Sequence, residues 1–239
     1  MGDQKSYKEH SSSPDQVLQG LVRELKNPLL FIARQAEFSA SAQPNTGLKA
    51  IEQSAQEALQ LIDSYLLSAR SEYGQKQFSL EPVSLGSILY DVAHKIDPMA
   101  KKRNYRVEVE TKYARPVMAD KSAALTSLAC LAQILLMPHS SRNAKTIHLS
   151  AYKRSSSQIV AGVLSKNAKG FEGKELEKAF RLQGNSSMAL NSGSAVSGVQ
   201  LALAENLAAS MGGHILPIKH SRMKGLGLEL VKSEQLVLV

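Results

Sequence analysis

The sequence predicts an α+β protein in which an antiparallel helical hairpin precedes an α/β sandwich. In residues 15–76, apolar side chains recur at spacings of three and four, which is the period of amphipathic helices. From about residue 80, short segments in which apolar and polar residues alternate are interspersed with apolar helical runs, which is typical of a mixed α/β domain. A chain of 239 residues with 43% apolar content suits one large domain or two small ones.

The two hairpin helices flank a turn signal at Pro44-Asn45-Thr46-Gly47. Asp15 is the expected N-cap of the first helix, and Pro28 should kink that helix at a cost of roughly 3 kcal/mol or more. The second helix ends at Gly74 and carries a heptad-like seam of Leu48, Ile51, Ala55, Ala58, Ile62, Tyr65 and Ala69. Because this seam is long, we expect two hairpins to dimerise into a four-helix bundle. The alternative is that the hairpin packs on its own C-terminal domain.

The later elements follow from their apolar patterns. Helices are expected at 84–96, 121–137, 173–181 and 198–211, the last of them closed by Gly212-Gly213. Strands are expected at 107–109, 147–152, 158–164, 226–231 and 236–239. The second and third strands should form an antiparallel pair across a serine-rich turn at 155–157. The glycines of 224–228 are interpreted as a turn into the terminal strand.

Composition excludes several classes of protein. No apolar run approaches the length that crosses a bilayer, and the polar residues 1–14 resemble a disordered lead rather than a secretory signal. The single cysteine, Cys130, excludes an internal disulfide and a multi-cysteine zinc site. The six histidines show no metal-ligand spacing, so no metal site is predicted. We expect a cytoplasmic protein.

Charge is unevenly distributed along the chain. Residues 1–80 carry 8 Lys and Arg against 9 Asp and Glu, whereas residues 81–239 carry 21 against 12, a net charge of +9. A basic domain attracts nucleic acid, an anionic membrane surface or an acidic protein. The alternative is a solvated basic surface with no partner. Candidate nucleic-acid contacts are Lys101, Lys102, Arg103, Lys153, Arg154, Arg222 and Lys224.

Residues 21–29 read Leu-Val-Arg-Glu-Leu-Lys-Asn-Pro-Leu. This segment resembles the phosphoacceptor box of sensor histidine kinases, His-Glu-Leu-(Lys/Arg)-(Asn/Thr)-Pro-Leu. Arg23 stands where that family carries its phosphorylated histidine. A guanidinium is always protonated and has no lone pair with which to attack a phosphate. The resemblance therefore implies the architecture of a kinase without autophosphorylation.

Ordered landmarks after residue 80 resemble the ATP-binding domain of the same family, an α/β sandwich of the Bergerat (GHKL) type. The landmarks are Glu81-Pro82-Val83-Ser84-Leu85, Asp120, Phe180-Arg181, and the helix and Gly-Gly turn of 201–215. The resemblance implies three regions: a disordered lead (1–14), a dimerisation helical hairpin (15–76) and a degenerate ATP-binding-like domain (77–239).

The nucleotide-binding boxes of that family are largely lost. Gln133 is the only amide in the helix that should supply a magnesium-binding asparagine. Lys166 stands where the family has an adenine-binding aspartate, and an ammonium accepts no hydrogen bond. Gly170 and Gly198 are what remains of the two glycine-rich boxes. We therefore expect no cofactor and little or no ATP binding.

What remains implies a signalling role without kinase chemistry. We expect a dimeric adaptor that binds a response regulator or a partner histidine kinase through Arg23, Glu24, Lys26 and Asn27. One alternative is a response-regulator phosphatase, in which Glu24 and Asn27 share a helix face and orient water towards an acyl phosphate. A further alternative, ranked below these, is a basic nucleic-acid-binding or transcription-linked regulator.

Overall fold

The computed structural model describes residues 78–111, 116–136, 145–166 and 198–234. Before residue 78 it describes only the helical positions 24, 25, 28, 31, 32, 47, 51, 58, 60–65, 67 and 68. We call the described positions from Ala58 to Ser68 the upstream helix. No helix in these ranges is both long enough and apolar enough to cross a membrane.

Among its described residues, the α/β part contains two sheets and three helices. In chain order its elements are β1 (Glu81–Ser84), α1 (Leu85–Lys102), β2 (Tyr105–Glu110), β3 (Pro116–Ala119), α2 (Lys121–Leu135), β4 (Lys145–Lys153), β5 (Gln158–Ser165), α3 (Gly198–Ala209), β6 (His214–His220) and β7 (Met223–Val231). The larger sheet has the order β2-β4-β5-β7-β6 and is parallel only between β2 and β4. β1 and β3 form a separate antiparallel pair.

One face of the five-stranded sheet packs against the helices. Alternate residues of its strands point to this face, because side chains along a strand alternate between the two sides. They join apolar residues of α1 and α2 in one core, whose fully buried members include Ile88, Leu89, Leu128, Leu131, Ile147, Leu149, Ile159, Val163, Leu226 and Leu228.

The starts of α1 and α2 are fixed by side-chain caps. Asp120 Oδ1 accepts a hydrogen bond from the backbone N–H of Ala123 at 3.0 Å, and α2 begins at the next residue. Ser84 Oγ accepts from the N–H of Ser87 at 3.4 Å and caps α1. Each cap satisfies a backbone donor that the first turn leaves without a partner.

α2 is buried on nearly every side. It packs on the sheet and against α1 and α3, and the Ser127 hydroxyl donates to the Ala204 carbonyl of α3 at 3.0 Å. Of its 15 residues, 12 are buried, which leaves no broad solvent face. This explains the composition of the helix, because a helix that is apolar all round must be covered all round.

Several predicted elements are confirmed and several bounds are corrected. The antiparallel pair of β4 and β5 is confirmed, with Ala151 opposite Ala161. The first predicted helix of the α/β part continues past residue 96 to Lys102, because Ala100 extends the buried stripe one turn beyond Ile96 despite Pro98. Gly47, predicted within a turn, is helical. The predicted helix at 173–181 and strand at 236–239 lie outside the described residues.

The interpretation of 224–228 as a turn was wrong. These residues lie inside β7, and the chain reverses earlier, where Ser221 adopts a φ of 54°. Strand β6 was missed because Pro217 interrupts its alternation. Proline is tolerated there because β6 is an edge strand of the sheet. The short strands β1 and β3 were also missed, since four residues carry little periodic signal.

Candidate functional site

The described residues of the degenerate nucleotide boxes lie on three different elements. Gln133 is near the C-terminal end of α2, Lys166 directly follows the last residue of β5, and Gly198 is the first residue of α3. Lys166 is exposed. Gly170 lies outside the described residues, so the site is described from these three positions and their neighbours.

The Gln133 side chain is 8% exposed, and both ends of its carboxamide are engaged. Its Nε2 donates to Gln60 Oε1 of the upstream helix at 2.6 Å. Its Oε1 accepts from Gln200 Nε2 of α3 at 3.0 Å. We call this chain of three side chains the amide bridge. Because the Gln133 oxygen already accepts a hydrogen bond from α3, it is not presented to solvent as a metal ligand would be.

Apolar packing continues the contact on one side of the amide bridge. Leu61 of the upstream helix packs with Val199 and Leu203 of α3 in a small cluster. Leu25, from the first hairpin helix, and Tyr65 pack against the same cluster. The first turn of α3 therefore contributes to both contacts. Val199 packs against the hairpin, and Gln200 is one of the three residues of the amide bridge.

On the other side of the bridge, the upstream helix covers Cys130 of α2. Ser64 Oγ donates to the Gln60 carbonyl at 2.8 Å, and the Cys130 thiol lies 3.7 Å from the same hydroxyl. Burial raises the pKa of the Cys130 thiol, while the Ser64 hydroxyl opposes that shift. In these contacts the hairpin packs on its own α/β domain, which is the second of the two arrangements expected for it.

The amide bridge was not predicted from the sequence. Gln60, Ser64 and Ser68 are spaced by four residues, so they form a polar line on the upstream helix that resembles a solvent face. In the structure Ser64 and Ser68 are 8% and 3% exposed. The available signal was the small size of these residues, opposite a helix rich in alanine. Their partners lie more than 60 residues away in the chain, and no spacing rule reveals such pairs.

The described part of the phosphoacceptor-like box contains Glu24, Leu25 and Pro28, all of them helical and half-buried. Burial raises the pKa of the Glu24 carboxyl. Arg23, Lys26 and Asn27 lie outside the described residues, so the geometry of the predicted partner-binding set and of the Glu24–Asn27 pair remains an expectation.

A further partly buried carboxylate lies where α3 meets β6. Glu205 Oε2 accepts a hydrogen bond from the N–H of Ile215 at 2.6 Å, and Glu205 Oε1 lies 3.5 Å from His214 Nδ1. Burial raises the pKa of Glu205, against the lowering effects of Ile215 and His214. In the described part of the chain, no three His, Cys, Asp or Glu residues are grouped to hold a metal ion.

No protein-family model matches the sequence, and no curated protein matches it significantly. Solved structures do. The histidine kinase AdeS of Acinetobacter baumannii superposes with a TM-score of 0.60 at 12% identity, over 88% of this chain and 98% of that chain. Full-length ShkA in complex with AMPPNP gives a TM-score of 0.54 at 19% identity, over 92% of this chain and 45% of that chain.

The histidine kinase ThkA, solved in complex with the response regulator protein TrrA, gives a TM-score of 0.55 at 15% identity. The match covers 89% of this chain and 60% of that chain. The chain therefore has a histidine-kinase-like fold, and its mixed sheet and helices resemble the ATP-binding domain of those kinases. This confirms the α/β half of the predicted fold class.

Proposed function

We propose that this protein is a histidine-kinase-like adaptor without kinase activity, which dimerises through its hairpin and binds a response regulator or a partner kinase. The observation that carries the proposal is the amide bridge. At the positions where the resemblance expects groups that hold Mg²⁺ and phosphates, Gln133 and Gln200 instead bind each other and the upstream helix. A nucleotide would have to displace these contacts, and buried amides that lose their partners cost about 1–3 kcal/mol each.

Lys166 supports the same conclusion at the adenine end of the expected site. The resemblance assigns this position, directly after β5, to a carboxylate that accepts a hydrogen bond from adenine. An ammonium only donates hydrogen bonds, so it cannot replace that carboxylate. Loss of the acceptor and engagement of Gln133 would act on opposite ends of one nucleotide, which makes ATP binding doubly unfavourable.

The proposed partner surface is Arg23, Glu24, Lys26 and Asn27. ThkA, which shares the fold, is known in complex with a response regulator, and this supports a receiver domain as the partner class. Arg23 would meet the acidic pocket of such a domain as a fixed cation with several donors. A dimer would present two such surfaces.

The decisive experiment pairs two titrations of the purified full chain. Receiver domains from the same genome are titrated against it by calorimetry, and a fluorescent ATP analogue with Mg²⁺ is titrated separately. We expect micromolar affinity for at least one receiver domain, weakened by Arg23→Ala, and no saturable nucleotide binding. No affinity for any receiver domain or kinase would reject the adaptor, and nucleotide binding with label transfer to the protein would reject the loss of kinase activity.

A second candidate function is dephosphorylation of a response regulator, favoured by the raised pKa of Glu24. A carboxyl whose pKa moves towards neutrality is better suited to exchanging protons with water than an ordinary surface glutamate. The test is the decay rate of a cognate acyl phosphate with and without the protein. Faster decay that disappears in Asn27→Ala, with receiver binding retained, would establish it. An unchanged decay rate would reject the phosphatase and leave the adaptor as the proposed function.

A further inference from the structure

Basic residues concentrate at one end of the five-stranded sheet. At this end β2, β4 and β7 begin, and β5 and β6 finish. Exposed cations there include Lys102, just before β2, Lys166, just after β5, and Lys219 and Arg222 at the β6–β7 turn. Arg103 and Lys224 lie behind them and are partly buried. We call these six residues the basic end.

Acidic residues are absent from the segments that form the basic end. Residues 101–106, 145–147, 163–166 and 218–225 contain no aspartate or glutamate. The opposite end of the sheet is balanced, with Glu110, Glu229 and Glu234 near Lys153, Arg154 and Lys232. There, Arg154 Nη1 binds Glu229 Oε1 at 2.9 Å. The structure thus divides the cations that the sequence suggested as one set, because Lys153 and Arg154 lie at the balanced end.

Cations of neighbouring strands lie side by side at the basic end. Lys219 lies directly across from Lys224 in the β6–β7 pair, and Arg222 is in the turn between them. Lys166 adds another cation beside this pair, because Ser165, the residue before it, lies opposite Lys224 in the β5–β7 pair. An anion bound across these residues would meet cations of three strands at once.

The shape of the basic end indicates an extended polyanion. Four spacings between neighbouring strands separate β2 from β6, which makes the row of cations about 19 Å long. The large exposed apolar side chains of the described residues are Phe31, Leu80, Tyr90 and Val231, and none belongs to the segments of the basic end. The row therefore offers no apolar wedge for a bilayer. The exposed ring of His220 in these segments already stacks on Tyr152, with 6.0 Å between the ring centroids.

We propose that the basic end binds the phosphate backbone of double-helical DNA without sequence preference. Duplex DNA carries one negative charge per about 1.7 Å of its axis, so a row of this length faces several phosphates at once. The inference goes beyond the adaptor function, because that function uses the hairpin and this one uses the cations at one end of the sheet. Either can fail without affecting the other.

The test compares two double variants that change net charge equally. Lys219→Glu/Arg222→Glu removes two cations of the basic end, and Lys95→Glu/Lys153→Glu removes two exposed cations elsewhere. The first variant should fold at least as well as the parent chain, because Lys219→Glu places a carboxylate opposite Lys224. Fluorescence anisotropy with a labelled 20-base-pair duplex measures affinity as a function of salt concentration, and circular dichroism verifies folding of both variants.

We expect the basic-end variant to weaken duplex binding about tenfold or more at 0.1 M salt, and to flatten the salt dependence by about two phosphate contacts. The control variant should change affinity by less than about threefold, because exposed charges further away than about 10 Å are screened. Equal losses in both variants, or no duplex binding by the parent chain, would overturn the proposal. Binding to phosphatidylserine vesicles without binding to the duplex would also overturn it.

Discussion

Gln133 links three segments at the position where the resemblance expects a nucleotide-binding site. Its carboxamide donates to Gln60 and accepts from Gln200, so three segments that are distant in the sequence meet at a single side chain. A shorter or charged residue at this position would not reach both partners in the same way. The bridge therefore ties the upstream helix to α2 and α3 and engages both the oxygen and the nitrogen of the Gln133 amide.

Replacing Gln133 with leucine should remove both hydrogen bonds of the bridge and leave buried amide groups behind. We expect the free energy of unfolding to fall by about 2 kcal/mol, because a buried polar group without a partner costs about 1–3 kcal/mol. Gln60→Leu alone should cost a similar amount. In the double variant Gln60→Leu/Gln133→Leu the loss should be smaller than the sum of the two. Urea unfolding measures the free energy of unfolding of the two single variants and the double variant. Strictly additive losses would contradict a direct hydrogen bond between Gln60 and Gln133.

Glu205 gives a pH dependence whose sign follows from burial. Its pKa is raised above its ordinary value near 4.5, so the folded state holds the proton at a pH where the unfolded state has released it. Stability contributed by this residue is therefore complete below the unfolded pKa and declines as the pH rises through the folded pKa. Glu205→Gln keeps an oxygen that accepts from Ile215 and should lose less stability than the parent chain between pH 4 and pH 7. Thermal unfolding at both pH values tests this, and identical pH profiles would contradict it.

At the scale of elements, the glycines of β7 have a packing role instead of forming a turn. A methyl group added at Gly225 would collide with the backbone oxygen of Val163 on β5. One added at Gly227 would meet Val160 and Ile218 side chains. β7 therefore lies between β5 and β6 in a way that only small residues allow, and the sequence pattern alone looked like a chain reversal.

Gly225→Ala should destabilise the protein by about 1–3 kcal/mol, the usual cost of overpacking, because its neighbour is backbone and cannot move aside. Gly162→Ala is the matched control in β5. Its added methyl group meets the end of the flexible Ile218 side chain, so the loss should be clearly smaller. Chemical unfolding measures both variants, and equal losses would show that backbone contact does not decide the effect.

Much of the sheet could be predicted because its signals are local. The apolar runs of β4 and β5 and the serine-rich turn between them each depend on a few neighbouring residues. The elements that were missed depend on context instead. Pro217 is compatible with a strand only because β6 is an edge, and Gln60 is half-buried only because α2 lies opposite. Sequence patterns predict which face is apolar, but they do not reveal which polar face a distant element will cover.

For the whole molecule, the relation between the hairpin and the α/β part sets the proposed mechanism. Adjacent residues of the upstream helix face different neighbours: Leu61 packs on α3, whereas Ile62 belongs to the seam that predicts the dimer. A hairpin that is docked on its own chain can still present Ile62 to a second copy, whereas Tyr65 of the same seam packs against the cluster of Leu61, Val199 and Leu203.

Ile62→Asp should separate the proposed dimer into monomers and leave the contact between the upstream helix and α3 in place. A charge in a buried apolar seam is too costly to retain. Leu61→Asp should instead leave the dimer intact and lower the melting temperature, because it breaks the cluster with Val199 and Leu203. Light scattering after size exclusion gives the mass of each variant. A monomeric parent chain would reject the dimer, and dissociation by both variants would reject the division of faces.

The burial of Cys130 beneath the upstream helix also makes this thiol a reporter of local opening. It is the only thiol in the chain, it is 2% exposed, and Ser64 of the upstream helix lies over it. An alkylating reagent can therefore reach sulfur only when that helix lifts or the domain opens. The rate of Cys130 alkylation under native conditions therefore measures how often such openings occur. A partner that pulls the hairpin away from the α/β part would increase this rate.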